Sequence, residues 1–163
     1  MARNDIKIVD TAGLNVVPSR EWLAEAAATA MLAGEPVKAK TAGSKYAIPL
    51  ADAEPVIGTT TAVLGIAASD STATASADGK LSVYLPLPGV TFSAKAKTAS
   101  AADTQAEIDA LVGKRVLLDL TGSTYTVDTA AADNAANDIL IVGGDFATSS
   151  IYFQFRGSGT ILN

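Results

Sequence analysis

The sequence predicts a mainly β protein: a small β-barrel or β-sandwich domain with two short helices and an extended N-terminal arm. Residues 81–97 carry most of that prediction. Leu81, Val83, Leu85 and Leu87 alternate with Ser82, Tyr84, Pro86 and Pro88. Beyond Gly89 the phase flips, and Val90, Phe92, Ala94 and Ala96 become the apolar positions. Period-two alternation of this length marks strand with one buried face. The same alternation returns at residues 114–120, 124–129 and 151–156, and turn signals such as Asp78-Gly79 and Gly122-Ser123 separate the runs. The flip at Pro88-Gly89 admits a bulge in one long strand or a two-residue hairpin; the poor match of a Pro-Gly type II turn to strand twist favours the bulge. Neither Pro86 nor Pro88 can donate to a ladder, so this end of the strand belongs at an edge or a bend.

Taken in order, the chain opens with an arm holding the apolar run at residues 6–9, then Gly13 and Val16-Val17-Pro18. A first helix is expected over residues 19–33. Ser19 is a plausible N-cap, Glu21 lies in the first turn, the run is rich in alanine, and Gly34 and Pro36 close it. Leu23, Ala27, Ala30 and Met31 share its apolar face, and Trp22, the one tryptophan, is a candidate docking anchor. A short strand pair at residues 36–40 and 46–50 follows, then a β-branched strand around Gly65 with a bulge. Residues 69–79 are composed as an exposed loop. Thr104 and Glu107 form a capping box for the second helix, which Gly113 ends. Strands at 114–120 and 124–129 come next. Residues 139–142 form a continuous apolar run, expected to be buried, and Gly143-Gly144-Asp145 is expected to begin a turn. The last strand carries Ile151, Phe153 and Phe155 on one face, and Ile161-Leu162 lie in a tail. The division expected is an arm and helix at 1–34 and a β-domain at 35–163.

The totals limit the chemistry. The chain has 163 residues, a net charge of −5, no histidine and no cysteine. Residues 1–60 carry six basic and seven acidic groups; residues 61–163 carry six and ten. That balance opposes a nucleic-acid role, which calls for a basic stripe. No run approaches the ~20 apolar residues of a membrane helix, and the start Met-Ala-Arg-Asn-Asp-Ile-Lys has no signal-peptide core. Synthesis in the cytoplasm is the expectation. Without histidine or cysteine, the usual nucleophile triads have no members. Gly122-Ser123-Thr124 and Gly143-Gly144-Asp145 lack the lysine of a phosphate loop and read as turns. Asp128, Asp133, Asp138 and Asp145 are weighed as calcium ligands, but their spacing matches no EF-hand, and loop aspartates of this kind are usually solvated. No catalytic residue, cofactor or metal is expected. Aromatic residues make up only 6% and much of the apolar content is alanine, so the core should be thin and partner surface should add to stability.

Several strings together give a family likeness: Gly34-Glu35-Pro36-Val37, Gly65-Ile66-Ala67-Ala68, residues 81–90 and residues 104–128. The chain resembles the head decoration, or cement, proteins that stabilise capsids of tailed bacteriophages, over most of residues 34–163. The resemblance implies a small β-domain with an N-terminal arm, often trimeric, bound to the major capsid protein on the outside of the virion. It implies no catalytic residue. The candidate contacts with capsid or subunit are Trp22, Leu23, Met31, Pro86 and Pro88. Another phage component, of the tail or the head–tail joint, is the alternative. A carbohydrate-binding β-module is a third reading, which exposed Tyr or Trp platforms would favour.

Overall fold

The computed structural model describes residues 5–26, 30–56 and 63–156. In chain order its elements are β1 (Lys7–Asp10), β2 (Ser19–Ala24), β3 (Pro36–Ala39), β4 (Tyr46–Pro49), β5 (Val63–Ala67), β6 (Gly79–Tyr84) and β7 (Thr91–Lys95). Then come α1 (Gln105–Leu111), β8 (Arg115–Thr121), β9 (Thr124–Asp128), β10 (Ile139–Asp145) and β11 (Ser150–Phe155). The protein is mainly β, as expected. Strands β2-β4-β3-β5-β6 close into a barrel, and β1-β7-β11-β10-β8-β9 form a second sheet.

Small residues make the barrel possible. Its interior holds Trp22, Met31, Val37, Leu64, Leu81 and Val83 together with Ala24, Ala39, Ala47 and Ala67. A five-stranded barrel is narrow, because diameter grows with strand number. One large ring and four methyl-sized side chains fit where a full set of leucines would not. The ladder from Ser19↔Tyr84 to Ala24↔Gly79 joins β2 to β6, and Leu23↔Tyr46 and Ala24↔Ala47 join it in parallel to β4.

The second sheet holds the larger core. Phe92, Phe153 and Phe155 pack with centroids 5.6 to 6.1 Å apart, two of the three pairs edge-on as aromatic quadrupoles prefer. Ile139, Ile141, Ile151, Val116, Leu118, Tyr125 and Val127 surround them, and Ile108 and Leu111 of α1 complete the layer. Val17, Leu50, Val63 and Ile66 belong to this same cluster, so the outside of the barrel is buried against the sheet. That double cover explains why every residue of β5 is buried. The sheet also curls. A parallel bridge pairs Ala96 with Val127, and the Tyr125 N–H donates to the Asp5 carboxylate at 2.9 Å.

Four expectations need correction. Residues 19–24 form strand β2 and not the start of a helix over 19–33; residues 27–29 of that span lie outside those described. Alanine there serves the barrel as a small inward residue, with Trp22 and Ala24 buried and Ser19 to Glu21 exposed, and tertiary packing overrides its helix propensity. One α-helix is therefore present among the described residues, with its capping box formed as expected; the turns Ala99–Ala101 and Phe146–Thr148 are 3₁₀. The phase flip at Pro88-Gly89 is neither bulge nor hairpin: β6 pairs with β2 and β5, whereas β7 pairs with β1 and β11. The chain leaves one sheet for the other there, and the buried side changes with it. Lastly, residues 139–145 are one strand that runs on through Gly143 and Gly144 past a register shift after Ile141, alternating in burial at its start. The expected boundary at residue 34 falls between β2 and β3, two staves of the same barrel. Ile161 and Leu162 lie outside the described residues.

Candidate interaction surfaces

The loop between β1 and β2 is held at both ends and apolar in the middle. The Leu14 N–H donates to the Thr11 carbonyl at 3.1 Å, the Thr11 hydroxyl donates to the Leu14 carbonyl at 2.7 Å, and the Ala12 N–H donates to Asp10 at 2.8 Å. Val17 is 3% exposed and anchors the loop in the core, while its neighbour Val16 is 74% exposed and Leu14 40%. The Leu85 N–H donates to the Pro18 carbonyl, and a Cβ on Gly89 would stand 2.9 Å from that of Ala12. The loop therefore lies along residues 85–89, where the chain crosses between sheets. Exposed Pro88 stands beside Gly89 on this side.

The five contact residues expected from the sequence do not form one face. Trp22 is 9% exposed, with its ring in the barrel and the Arg20 guanidinium 4.9 Å from the ring centroid. Met31 is buried in the same barrel core. Leu23 is half-buried and shares a shallow groove of about 250 Å³ with Arg20, Glu21, Trp22 and Lys45. Pro86 is buried near Gly65. Pro88 alone of the five is exposed, and the apolar neighbours that sequence reasoning did not single out are Leu14 and Val16. The Val16-Val17 pair was the available signal, since adjacent strand-like residues point to opposite sides.

A second surface lies on the outer face of the second sheet. The registers place Lys7, Ser93, Tyr152 and Gly143 in one row across β1, β7, β11 and β10. Lys95, Ser150 and Asp145 form the next row. Between them lies an open groove of about 430 Å³. The Tyr152 ring edge lies across Gly143, 3.7 Å from where a Cβ would stand. The Lys95 ammonium donates to the Thr148 carbonyl, and the Thr148 hydroxyl lies 3.0 Å from that of Ser150. The alternation of β11 marked Tyr152 as outward-facing, but only the strand order brings it to Lys7 and Lys95.

The acidic residues weighed as calcium ligands are turned into separate turns. Asp128 accepts from the N–H groups of Ala130 and Ala131 and pairs with Lys97 at 3.2 Å. Asp133 accepts from the Arg115 N–H, and Asp145 from the Ala147 N–H and the Thr148 hydroxyl. Asp138 is 4% exposed, and desolvation pushes its carboxyl up to about 6. Lys97 also meets Asp119 at 2.6 Å; this bond, and that from the Thr121 hydroxyl, hold the Asp119 carboxyl below the usual range. The described residues include no group of three or more potential ligands able to hold a metal ion, and no helix long and apolar enough to cross a membrane. Comparison with family models, with curated proteins and with solved structures returns no match for this chain.

Proposed function

We propose that the protein is a virion structural protein that decorates the outside of a phage capsid and stabilises it by binding the major capsid protein. The role is non-catalytic and rests on many weak contacts repeated over a lattice. Each contact stabilises the shell by mass action, and the array gains from avidity. The protein associates with its own copies in this reading, as a homotrimer, after synthesis in the host cytoplasm.

The observation that carries the proposal is the loop at residues 11–16. It offers Leu14 and Val16 to solvent at 40% and 74% exposure, while Val17 and the strands on either side hold it in place. Apolar groups fixed in position bind with less ordering entropy than a free arm would lose. The family resemblance supplies the identity of the partner.

Immunogold labelling of the phage that encodes the chain tests the role. Label on the head is the expected result. Label on the tail or the head–tail joint moves the protein to the alternative phage role, and unlabelled particles overturn a virion role. Light scattering on the purified protein tests the trimer, which a concentration-independent monomer would exclude. A Leu14→Ser/Val16→Ser variant should keep its melting temperature and lose head attachment; full attachment would remove this loop from the interface.

A further inference from the structure

We propose that the groove on the outer face of the second sheet binds an acidic saccharide, a function separate from capsid attachment. The groove lies between Lys7, Ser93, Lys95, Thr148, Ser150 and Tyr152. Its volume, about 430 Å³, is within the range of small-ligand sites. Three kinds of chemistry meet there. Tyr152 is half-buried, held against Gly143 on one side, and lines the groove. An aromatic ring so placed offers a flat apolar surface to the C–H face of a pyranose. The hydroxyls of Ser93, Thr148 and Ser150 both donate and accept, as sugar hydroxyls require. Lys7 and Lys95 supply positive charge.

The lysines point to an anionic group on the sugar. Lys38, Lys40, Lys80 and Lys97 each form an ion pair with a carboxylate. Lys7, Lys45, Lys95 and Lys114 form none among the described residues, and of these only Lys7 and Lys95 line this groove. They are diagonal neighbours across β1 and β7, since Lys7 pairs with Ser93, two residues before Lys95. The Lys95 ammonium reaches toward the Thr148 carbonyl, and both lysines line the groove, so a carboxylate bound there meets positive charge from each. Two carboxylates offset part of this charge: Asp5, which also lines the groove, is held by the Tyr125 N–H, and Asp145, in the Lys95 row, by the Ala147 N–H and the Thr148 hydroxyl.

An acidic peptide is a poorer occupant. The groove lies on the face of the sheet, where the backbone groups of β1, β7 and β11 already bond in ladders. The sheet's free edge at β1 adjoins the groove, but a peptide seated on the face itself would not extend the ladder. A dense polyanion such as nucleic acid meets only two lysines on a chain of net charge −5. A polymer of uronic acids, with hydroxyls and one carboxylate per ring, matches all three chemistries.

The experiment is a titration of the full chain with a galacturonic acid oligomer at low salt, read by NMR shifts at the groove and by calorimetry. Maltohexaose serves as the neutral comparator and polyglutamate as the charge comparator. Saturable binding of the uronate, stronger than of either comparator, is expected. Tyr152→Ala and Lys7→Gln should each weaken it by about tenfold, with melting temperatures recorded to confirm folding. Lys7 is an exposed side chain on an edge strand, so its variant remains informative if Tyr152→Ala destabilises the sheet. No binding, equal binding of polyglutamate, or binding untouched by Lys7→Gln would each overturn the proposal. Shifts in the groove caused by self-association, detected by light scattering without sugar, would assign the surface to a second copy and overturn it as well.

Discussion

The Tyr125 hydroxyl on β9 donates to the carbonyl oxygen of Leu50 at 2.7 Å, and both residues are buried. Leu50 directly follows β4, so this bond runs from the second sheet to the barrel. It is one of several along the same strut: the Leu118 N–H donates to the Glu54 carbonyl at 2.7 Å, and the Leu120 N–H to the Asp52 carboxylate at 3.0 Å. Together with the shared apolar cluster, these bonds couple the two halves mechanically.

Tyr125→Phe should therefore lower stability by about 1–2 kcal/mol, because the Leu50 carbonyl is left buried without this donor. The expected readout is a lower urea midpoint with an unchanged slope, the mark of one cooperative unit. Two separate transitions in the parent protein would show instead that barrel and sheet unfold independently.

Stability should pass through a maximum on the acid side of neutrality. Burial raises the folded-state pKa of Asp138 from 3.8 to about 6, although the Arg156 N–H and the charge of Arg115 oppose the shift. The folded state then binds this proton more tightly than the unfolded chain. The contribution of Asp138 to stability grows as pH falls through about 6 and levels off below 3.8. Asp119 has the opposite sign. Lys97 and Thr121 depress its pKa, so its contribution is complete above the ordinary value of 3.8 and is lost as pH falls through the depressed one. Asp138→Asn should raise stability at neutral pH by at most about 3 kcal/mol, from two pKa units at 1.36 kcal/mol each, and flatten the limb above the maximum. Melting curves from about pH 4 to 8 check this; an unchanged neutral limb in the variant would show that Asp138 does not set it.

Gly65 and Gly43 should respond very differently to alanine. Gly65 has φ +137°, and a Cβ there would stand 1.9 Å from the Tyr84 carbonyl oxygen and 3.2 Å from Pro86. Relief requires β5 and β6 to separate where Ile66 pairs with Tyr84. We expect Gly65→Ala to cost more than about 3 kcal/mol, or to prevent folding. Gly43 has φ +73° with nothing within 4 Å of a Cβ, so Gly43→Ala should cost only the left-handed backbone term of about 1–2 kcal/mol. Equal midpoints for the two variants would mean that the β5–β6 contact yields easily.

The legible parts of the sequence were those in which one local pattern had one outcome. Residues 151–155 alternate, and Ile151, Phe153 and Phe155 are buried. Thr104 and Glu107 form the capping box that their spacing announces. The alanines near β2 were ambiguous because the same residue suits a helix by propensity and a narrow barrel by size. Only the partners of β2, which are β6 and β4, decide between them. The flip at Pro88-Gly89 misled for a related reason, since local alternation records which side is buried and not which sheet buries it. The groove at Tyr152 depends on registers among three strands far apart in sequence, which no local pattern encodes.

Deleting residues 1–34 should abolish folding. The truncation removes β1 from the edge of the second sheet and β2 from the barrel. Strand β6 loses the ladder from Ser19↔Tyr84 to Ala24↔Gly79. The barrel core loses Trp22, Ala24 and Met31, and the larger core loses Ile6 and Val17. Truncating one buried large aromatic side chain to alanine typically costs about 3–5 kcal/mol, already a large part of the roughly 5–15 kcal/mol that holds a typical domain together. The barrel also opens, exposing two new strand edges prone to pairing with other chains. Residues 35–163 expressed alone should give no cooperative thermal transition and should aggregate. A truncated chain that melts cooperatively near the temperature of the full one would show that β2 is a dispensable cover, and that the remaining four staves of the barrel hold without it.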